Sequence, residues 1–540
     1  MLRQMKSPVT SHALSGTGQS PVRKDLFLCI FSALLLTLPF STPNLWIFAW
    51  VGFVPLFFAL QNKAKGRAFL LAYLTGTVFW LGTIYWLTYV TLAGYILLFL
   101  YLALYFGLFG LIIRSYKLEV ISYKLFFIPA VWVVLEYIRG HFLTGFPWTL
   151  LAYSQYKNLP IIQITDITGA YGVSFLVMMG NVLIWLIISE NRKQKTENRK
   201  INFSSFFICP LSSALCLLIA FGYGYYKLNS PLVLRPSSLI RISVVQPNIP
   251  QELKWSPVAK EDIVKKYFRI TQEALKDSPD LIIWPESAVQ DYLVIEKGGY
   301  ANADYLADFT QEINKPLLLG MVGLDSQNFY NSAVLFSQKG EIVQRYDKLH
   351  LVPFGEFIPL RAALPFLEVV VPIGDFTAGK EYVVFEASNQ NPETRNKFSV
   401  LICFEDVFPS LARNFVKNGA NFLVNITNDA WFGDTSEPFQ HLAASVFRAV
   451  ENRVSVVRAA NTGISCFISP LGEIKTAVKD MRGKKTFIDG YISDTVFLGD
   501  GNSFYTRFGD VFALFCFIVI GCGIIMKVKS KNHNLKLKTL

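Results

Sequence analysis

Eight apolar runs that are long enough to cross, or nearly cross, a lipid bilayer constrain this chain more than any other feature of its sequence. The hydrocarbon core of a bilayer is about 30 Å thick, so a helix needs roughly 20 mostly apolar residues to span it. The runs lie at residues 26–42, 44–60, 68–90, 94–113, 125–138, 170–189, 205–226 and 508–526. We predict a membrane α-helical bundle of about eight transmembrane helices.

The first pair of runs and the run 125–138 leave alternatives open. The first two runs are separated only by a short turn at 41–44, and the run 125–138 is short and contains Pro129 and Glu136. Either segment could instead be re-entrant or steeply tilted. The remaining runs are long enough to cross the membrane as single helices.

Composition and charge agree with a membrane protein and exclude two other classes. Apolar residues make up 52% of the 540 residues and charged residues 17%, which is too apolar for a disordered chain or an average soluble one. Residues 240–507 hold 27 Lys and Arg against 32 Asp and Glu, whereas the rest of the chain holds 24 against 7. Because the positive charge lies beside the apolar runs, we predict no nucleic-acid partner.

The distribution of Lys and Arg between the runs predicts the orientation of the chain. Basic loops stay on the cytoplasmic side of a membrane. The two tails and every second link together hold 20 Lys and Arg, whereas the intervening links hold two, Arg139 and Lys157. We therefore predict cytoplasmic termini and an extracytoplasmic segment 227–507.

The predicted organisation has five parts. They are a cytoplasmic tail (1–25), seven membrane helices with short loops (26–226), an extracytoplasmic domain (227–507), an eighth membrane helix (508–526) and a second cytoplasmic tail (527–540). The Ser- and Gly-rich stretch 7–20 is predicted to be disordered. No small-residue cleavage site is evident after residue 26, so we expect an uncleaved first span.

From residue 240 the sequence changes to short β-branched runs that alternate with amphipathic stretches. Predicted strands lie at 241–246, 280–286, 316–322, 331–337, 398–403, 421–425, 455–460 and 464–469. Predicted helices lie at 258–276, 302–314, 407–417 and 437–451. This alternation is typical of a layered α/β domain.

Three of the apolar strands end in residues that can do chemistry. The runs LIIWPE, QRYDK and VLICFED bring Glu286, Lys348 and Cys403 to strand ends. Strand ends and the loops after them carry the sites of layered α/β domains, so we expect these side chains to share one cleft. A thiolate is a nucleophile, a carboxylate can accept its proton, and an ammonium can stabilise an oxyanion.

Each of these residues also has a structural interpretation when taken alone. A free cysteine is commonly a small buried hydrophobe, and a Lys or Glu at a strand end is commonly solvated. Cys466 lies inside an apolar strand pattern and is predicted to be a core residue. A Cys403–Cys466 disulfide, which would disable the nucleophile, stays possible in an oxidising compartment.

The motifs around these residues resemble those of a known family. Glu286 lies in WPES, Lys348 in YDKLHLVPFGEFIP and Cys403 in ICFED, and VVQPNIPQELKW, YNSAVLF, NITNDAWFG and RAANTGIS add to the match. The order is similar to that of the carbon–nitrogen hydrolase (nitrilase) superfamily. Residues 26–526 as a whole resemble the apolipoprotein N-acyltransferase family, which implies a Glu-Lys-Cys triad on an extracytoplasmic αββα sandwich inserted before the last membrane helix.

This resemblance implies an acyl transfer in two half-reactions. Cys403 would attack the sn-1 ester of a phospholipid, typically phosphatidylethanolamine, and the resulting thioester would pass its acyl chain to the α-amino group of an N-terminal diacylglyceryl-cysteine of an apolipoprotein. This scheme is ping-pong covalent catalysis. Glu286 would be the general base and Lys348 the oxyanion stabiliser.

Further residues match family positions that support the triad or cover the site. Glu356 and Glu405 would orient Lys348 and tune its protonation, with ordinary strand-end charges as the alternative. Trp255 and Trp431 fall in stretches that resemble mobile loops over the active site, which an apolar thioester needs for protection from water. Asn331 and Phe404 are the remaining candidate substrate-binding or cover residues. Asn331 lies in YNSAVLF, and Phe404 stands where relatives often carry Tyr.

The expected partners are the phospholipid donor, the diacylglyceryl apolipoprotein acceptor and membrane lipid, with a monomer favoured. We predict no cofactor and no metal, because His350 and His441 lack partners at ligand spacing and no phosphate-binding Gly loop occurs. Three ionisable residues near membrane depth are candidates for headgroup contact or a structural pair: Glu136, Arg139 and His141. A membrane-anchored amidase of the nitrilase type and a non-catalytic membrane protein stay open as alternatives.

Overall fold

The computed structural model describes residues 21–116, 121–197, 203–230, 239–296, 299–301, 303–358, 375–387 and 396–538. The stretch 7–20 that was predicted to be disordered lies outside these residues. The described chain divides into an α-helical half and an α/β half, and the α/β half lies between the last two long apolar helices.

Each predicted apolar run contains a helix. The helices are Pro21–Thr37, Val54–Leu60, Lys65–Thr83, Leu92–Ser115, Ile121–His141, Ala170–Glu197, Phe203–Asn229 and Val511–Lys538. Among the described residues, three stretches are long and apolar enough to cross a membrane, Leu92–Ser115, Ala170–Arg192 and Leu211–Asn229. The shorter apolar stretches are Trp46–Leu60 and Val511–Ile525. A membrane protein is therefore supported, and the count of eight spans stays a prediction.

The two uncertain runs take different forms. The second run begins with the 3-10 turn Trp46–Trp50 and continues as the α-helix Val54–Leu60, which carries Pro55 in its first turn, where a missing N–H leaves no bond unmade. The run 125–138 lies inside the single helix Ile121–His141 despite Pro129 in its interior.

The α/β half contains 14 described strands. They are β1 Leu239–Gln246, β2 Leu281–Ile283, β3 Tyr292–Glu296, β4 Gly299–Ala301, β5 Leu317–Asp325, β6 Asn328–Phe336, β7 Ile342–Asp347, β8 Phe385–Ala387, β9 Asn396–Ile402, β10 Phe422–Thr427, β11 Ser455–Ala460, β12 Cys466–Ile468, β13 Ile474–Ala477 and β14 Gly490–Phe497. The main helices are Lys260–Ala274, Asp304–Ile313, Pro409–Lys417 and Glu437–Asn452. The eight strands and four helices predicted for this half are all present, and β7 is the strand expected from the run QRYDK. The strands β3, β4, β8, β13 and β14 were not predicted.

The strands form two sheets. The first has the order β14-β1-β2-β5-β3-β4, with β6 paired to β5 and β7 paired to β6. The second has the order β13-β12-β11-β10-β9-β8, and its central strands β9, β10 and β11 are parallel. Parallel neighbours bring their carboxyl ends to one edge of a sheet, which places the residues after β9 and β10 side by side.

Alternation along the strands divides the apolar side chains between two cores. Ile283 and Leu318 of the first sheet share a core with Val400 and Val424 of the second. Their sequence neighbours point the other way, and Ile282 packs with the helices of the first sheet. Because successive side chains of a strand point to opposite faces, this division gives helix, sheet, sheet and helix layers.

The α-helical half packs on the outer helices of the second sheet. Tyr153 contacts Phe447 edge to face and accepts a hydrogen bond from Arg448. The backbone N–H of Ala170 donates to the buried carboxylate of Glu451 at 3.0 Å. The helix Glu437–Asn452 is thus buried between the second sheet and the membrane helices.

Candidate active site

Glu286 lies three residues after the end of β2. The strand does not continue to Glu286, because Pro285 has no N–H to donate to a neighbouring strand. The predicted strand 280–286 therefore ends early, at Ile283. The carboxylate of Glu286 accepts hydrogen bonds from Asn331 Nδ2 at 2.8 Å and from the backbone N–H of Asn428 at 2.9 Å. Both donors fix the orientation of the carboxylate oxygens.

Lys348 follows β7 and is almost fully buried between two carboxylates. Its Nζ lies 2.9 Å from Glu356 Oε1 and 3.8 Å from Glu286 Oε1. Burial by itself would lower the pKa of Lys348, but Glu356 and Glu286 outweigh it and hold that pKa above its ordinary value. Asn331 also donates to Glu356 at 2.7 Å, so one amide joins the two carboxylates. Lys348 is therefore a permanent cation in the cleft.

Cys403 is the residue directly after β9, so the predicted strand 398–403 ends one residue early. Cys403 begins the 3-10 turn Cys403–Val407 with a left-handed backbone, φ +53°. Burial and the Glu286 carboxylate raise the pKa of its thiol well above the ordinary value, against an opposing effect of Lys348. The thiol is therefore protonated at rest, and its reaction as a nucleophile requires a base.

Glu405 is fully buried and does not contact the ammonium of Lys348 within the ion-pair distances of the described residues. Its carboxylate accepts from Tyr346 Oη and the Leu349 N–H at 2.7 Å, from the His350 N–H at 3.0 Å and from the Ile402 N–H at 2.7 Å. Glu405 thus holds the backbone beside Lys348 and beside Cys403. Of the two predicted supporting carboxylates, only Glu356 contacts Lys348 directly.

Trp255 and Trp431 lie on two loops that contact Glu286 through Lys254 and Asn428, and 44% and 49% of their surfaces are exposed. The loops are joined, since Asn428 Nδ2 donates to Gln251 Oε1 at 2.9 Å. Lys254, beside Trp255, is buried and donates from Nζ to the carbonyl oxygen of Glu286 at 2.9 Å. Burial lowers the pKa of Lys254 to about 8. Sequence reasoning missed this second lysine, although it lies in the quoted stretch VVQPNIPQELKW.

Phe404 lies in an aromatic wall between the 3-10 turn Cys403–Val407 and the α-helical half. Its ring stacks on Trp148 with 6.0 Å between centroids and contacts Phe408 edge to face at 5.2 Å. Trp148 lies between the helices Ile121–His141 and Ala170–Glu197. Trp86, which lies between Lys65–Thr83 and Leu92–Ser115, packs against it with 5.3 Å between ring centroids. The turn that begins at Cys403 thus has an aromatic side that faces the α-helical half.

The comparisons with known proteins cover both halves of the chain. Residues 32–183 match the family described as "Apolipoprotein N-acyltransferase N-terminal domain", and residues 241–488 match "Carbon-nitrogen hydrolase". The chain is 37% identical to the apolipoprotein N-acyltransferase of Geobacter metallireducens over 530 residues, 95% of this chain and 96% of that relative. This chain belongs to the apolipoprotein N-acyltransferase family. The resemblance inferred from the motifs is confirmed.

Two further similarities concern a more distant relative and a solved structure. Apolipoprotein N-acyltransferase 2 of Treponema denticola is 28% identical over 499 residues, 88% of this chain and 91% of that relative. The crystal structure of Nit3 from Saccharomyces cerevisiae, of the nitrilase superfamily, matches 52% of this chain and 97% of its own at 18% identity, with a TM-score of 0.38. As a member of the apolipoprotein N-acyltransferase family, the chain is a membrane acyltransferase whose α/β domain is nitrilase-like.

The alternative of a Cys403–Cys466 disulfide is wrong in this structure, where both cysteines are free. Cys466 begins β12, is fully buried and pairs in the sheet with Arg458. Burial raises the pKa of the Cys466 thiol to about 12. The prediction that Cys466 is a core residue is confirmed.

The spacing argument against a metal site does not hold for His441. Glu437 lies one helical turn before it, and Asp429, Glu437 and His441 each place a possible ligand atom within 4.8 Å of the others. Burial and Asp429 raise the pKa of Glu437 well above its ordinary value. Arg458 lies 3.4 Å from Asp429, so cations of the chain itself compensate this cluster. The expectation of no metal stays a prediction.

Glu136, Arg139 and His141 differ in exposure. Glu136 and Arg139 are buried and bind the loop that carries Trp148, Glu136 by accepting from the Leu151 N–H at 2.7 Å and Arg139 by donating to the Trp148 carbonyl at 2.7 Å. His141 is exposed and stacks on Tyr137. The two buried residues therefore position the loop that carries Trp148, and of the three residues only His141 is exposed. Headgroup contact stays a prediction.

Proposed function

We propose that this chain transfers an acyl chain from the sn-1 position of a phospholipid, typically phosphatidylethanolamine, through a thioester on Cys403 to the α-amino group of an N-terminal diacylglyceryl-cysteine. Membership of the apolipoprotein N-acyltransferase family supports this reaction. The observation that supports it most directly is the position of the Lys348 ammonium, which lies between Glu356 and Glu286. The neighbouring thiol of Cys403 is protonated at rest. Such a site needs a base before attack and offers an oxyanion partner after it.

The first half-reaction begins when Glu286 accepts the thiol proton of Cys403. The sulfur attacks the ester carbonyl, and Lys348 stabilises the oxyanion of the tetrahedral intermediate. The C–O bond then breaks, and Glu286 returns the proton to the leaving glycerol oxygen. The products are a lysophospholipid and an acyl thioester on Cys403.

The second half-reaction uses the same three residues. The incoming α-ammonium gives one proton to solvent and becomes a neutral amine. The amine attacks the thioester carbonyl while Lys348 again stabilises the oxyanion. Glu286 accepts the proton that the nitrogen loses on attack and returns it to the departing thiolate of Cys403. The enzyme is restored, and the acceptor carries the acyl chain as an amide.

The proposed setting is the bacterial inner membrane, with eight spans, a periplasmic α/β domain and a monomeric enzyme. Its support is the 20-to-2 asymmetry of Lys and Arg between the links. Both substrates carry lipid chains, so a cleft with an apolar side toward the membrane helices lets them enter from the bilayer. Trp255 and Trp431 are proposed to cover the bound chain and exclude water.

The fate of the acyl-enzyme tests this proposal. Purified protein given phospholipid alone should release lysophospholipid in a burst of about one equivalent per enzyme and then stop as a stable thioester. A diacylglyceryl-cysteinyl peptide with a free α-amine should discharge the thioester to an N-acyl product, measured by mass spectrometry. The same peptide with an acetylated amine is the control and should not discharge it.

The competing function is hydrolysis by a membrane-anchored amidase, which would use the same side chains. Steady release of free fatty acid that the peptide does not change would contradict the transferase proposal and favour a hydrolase. Trp255→Ala or Trp431→Ala should increase the release of free fatty acid relative to the wild-type protein, because opening the cover admits water to the thioester.

A further inference from the structure

We infer that His441 is a positioning residue that holds the backbone of Cys403 in its reactive conformation, and that the membrane helices locate His441 through its neighbour Gln440. This inference rests on the proposed role of Cys403 as nucleophile. Neither His441 nor Gln440 belongs to the Glu-Lys-Cys triad, and both lie on the helix Glu437–Asn452 behind the nucleophile turn.

The backbone of Cys403 is the part of the site that needs support. Its φ of +53° is the left-handed conformation, which costs a non-glycine residue about 1–2 kcal/mol. Two side chains bind the carbonyl oxygen of this residue, Asn425 Nδ2 at 3.1 Å and His441 Nε2 at 3.2 Å. With both donors in place, the peptide after Cys403 cannot rotate toward the more favourable right-handed form without losing them.

His441 is equipped to donate from both ring nitrogens. Nε2 lies 2.8 Å from Asp406 Oδ1, and Nδ1 lies 3.3 Å from Asp429 Oδ1. Burial and Arg458 would lower the pKa of His441, but the Asp406 and Asp429 carboxylates outweigh them and raise it to about 10. The ring is therefore an imidazolium at neutral pH, with one N–H shared between Asp406 and the Cys403 carbonyl.

Arg458 links the two donors to one another. Its Nη1 donates to Asn425 Oδ1 at 2.8 Å and to Asp406 Oδ2 at 3.1 Å. The amide of Asn425 is thereby oriented with its nitrogen toward Cys403, and Asp406 is oriented toward His441. Because a buried polar group that loses its partner is costly, these bonds favour this geometry over arrangements that break them.

Gln440 connects this network to the membrane half. Its Oε1 accepts from Trp86 Nε1 at 3.1 Å and from Trp148 Nε1 at 2.8 Å, and its Nε2 donates to the carbonyl oxygens of Phe40 and Thr83 at 3.0 Å each. All four partners lie in the α-helical half. Trp148 also packs on His441, with 5.5 Å between ring centroids. The helix position that locates His441 is thus set by the membrane segments.

The test measures the reactivity of Cys403 itself, so it does not depend on which lipid substrate the enzyme takes. In the full-length protein in detergent, His441→Ala should slow alkylation of Cys403 by iodoacetamide about tenfold, the effect of about 1.4 kcal/mol. Burst acylation by phospholipid should slow similarly, with KM for the phospholipid changed less than about twofold. His441→Gln, which restores a neutral donor, should recover most of the alkylation rate.

Ser445→Ala is the matched control, because Ser445 donates to the other oxygen of Asp406 but has no bond to Cys403. It should leave the alkylation rate of folded protein near that of the wild type. If His441→Ala does not fold, Asn425→Ala, which removes the other donor to the same carbonyl, carries the test and should also slow alkylation. Unchanged alkylation in the folded variant, or an equal loss in Ser445→Ala, would overturn the inference. Slowed alkylation in a protein that hydrolyses its thioester would instead leave the inference standing and contradict the proposed transferase.

Discussion

Cys403 and Cys466 are two free cysteines of one domain whose surroundings differ in what they allow the sulfur to do. Cys403 is partly exposed at the end of β9, where Glu286 can accept its proton and Lys348 can stabilise an oxyanion. Cys466 is fully buried in β12. A buried thiol with no base beside it stays protonated and unreactive, whereas a base beside the thiol can remove its proton and form the thiolate nucleophile.

We predict that Cys403→Ala abolishes acyl transfer and removes a hydroxylamine-sensitive thioester. Loss of the nucleophile of a covalent mechanism lowers the rate by several orders of magnitude. Cys466→Ala is the control, and it should keep the thioester. Thioester that still forms on the Cys403→Ala protein, detected by radiolabelled phospholipid on a gel, would assign the nucleophile to another residue.

Glu405 is predicted to set the acid side of the pH profile. Burial raises the pKa of its carboxyl to about 7. As the pH rises through this value the carboxyl loses its proton, and the carboxylate can then accept all four of its hydrogen bonds from Tyr346 and the backbone. Activity as kcat/KM should therefore rise between about pH 6 and pH 8.

Glu405→Gln should be about tenfold less active, since an amide presents donors to a site that holds only donors. It should also lose the rise near pH 7, because an amide does not titrate. A rise near pH 7 that persists in Glu405→Gln would assign the titration to another group.

At the scale of elements, the helix Glu437–Asn452 carries the contact between the two halves. One side packs on the second sheet and the other on the membrane helices, so the helix is buried along most of its length. Polar side chains on such a helix must find partners, and Gln440, Arg448 and Glu451 find them across the contact. The two halves therefore interact through specific hydrogen bonds as well as apolar area.

We predict that Gln440→Leu destabilises the protein by about 2–6 kcal/mol, because it leaves the two buried indole N–H groups of Trp86 and Trp148 without partners at about 1–3 kcal/mol each. The thermal unfolding midpoint in detergent measures the loss. Gln311→Leu is the control, since Gln311 makes one exposed hydrogen bond to the Lys339 carbonyl, and its midpoint should barely change. Equal midpoints for the two variants would contradict the prediction.

At the scale of the whole molecule, charge and apolarity divide the chain in the same way as the fold does. The segment 240–507 is acidic overall and forms the α/β half, whereas the basic residues lie beside the helices of the other half. Positive charge is retained on the cytoplasmic side during insertion, so the division predicts a direction.

A reporter fused after residue 230 should be active outside the cytoplasm, and a reporter fused after residue 530 should be active inside. The two fusions are each other's control, because expression defects would lower both. Labelling of residues 240–507 from the cytoplasm would contradict the proposed function, since a cytoplasmic site could not reach an acceptor on the outer face of the membrane.

The sequence by itself determined the features that depend on local pattern. Apolar runs predict membrane helices, alternation predicts the strands, and motifs at strand ends single out Glu286, Lys348 and Cys403. These signals are readable because helix and strand periods act over a few neighbouring residues. The short strands β3, β4 and β8 carry little periodicity, and they were missed for that reason.

Tertiary structure decided which of those residues meet and what holds them. The carboxylate of Glu286 accepts from the N–H of Asn428, 142 residues away, and Gln440 donates to Phe40 across 400 residues. The sequence did not distinguish Lys254 from its neighbours in VVQPNIPQELKW, and the spacing of Glu437 and His441 on one helix did not indicate a contact with Cys403. Their partners depend on sheet register and helix packing, which set distances between parts of the chain that local periodicity does not relate.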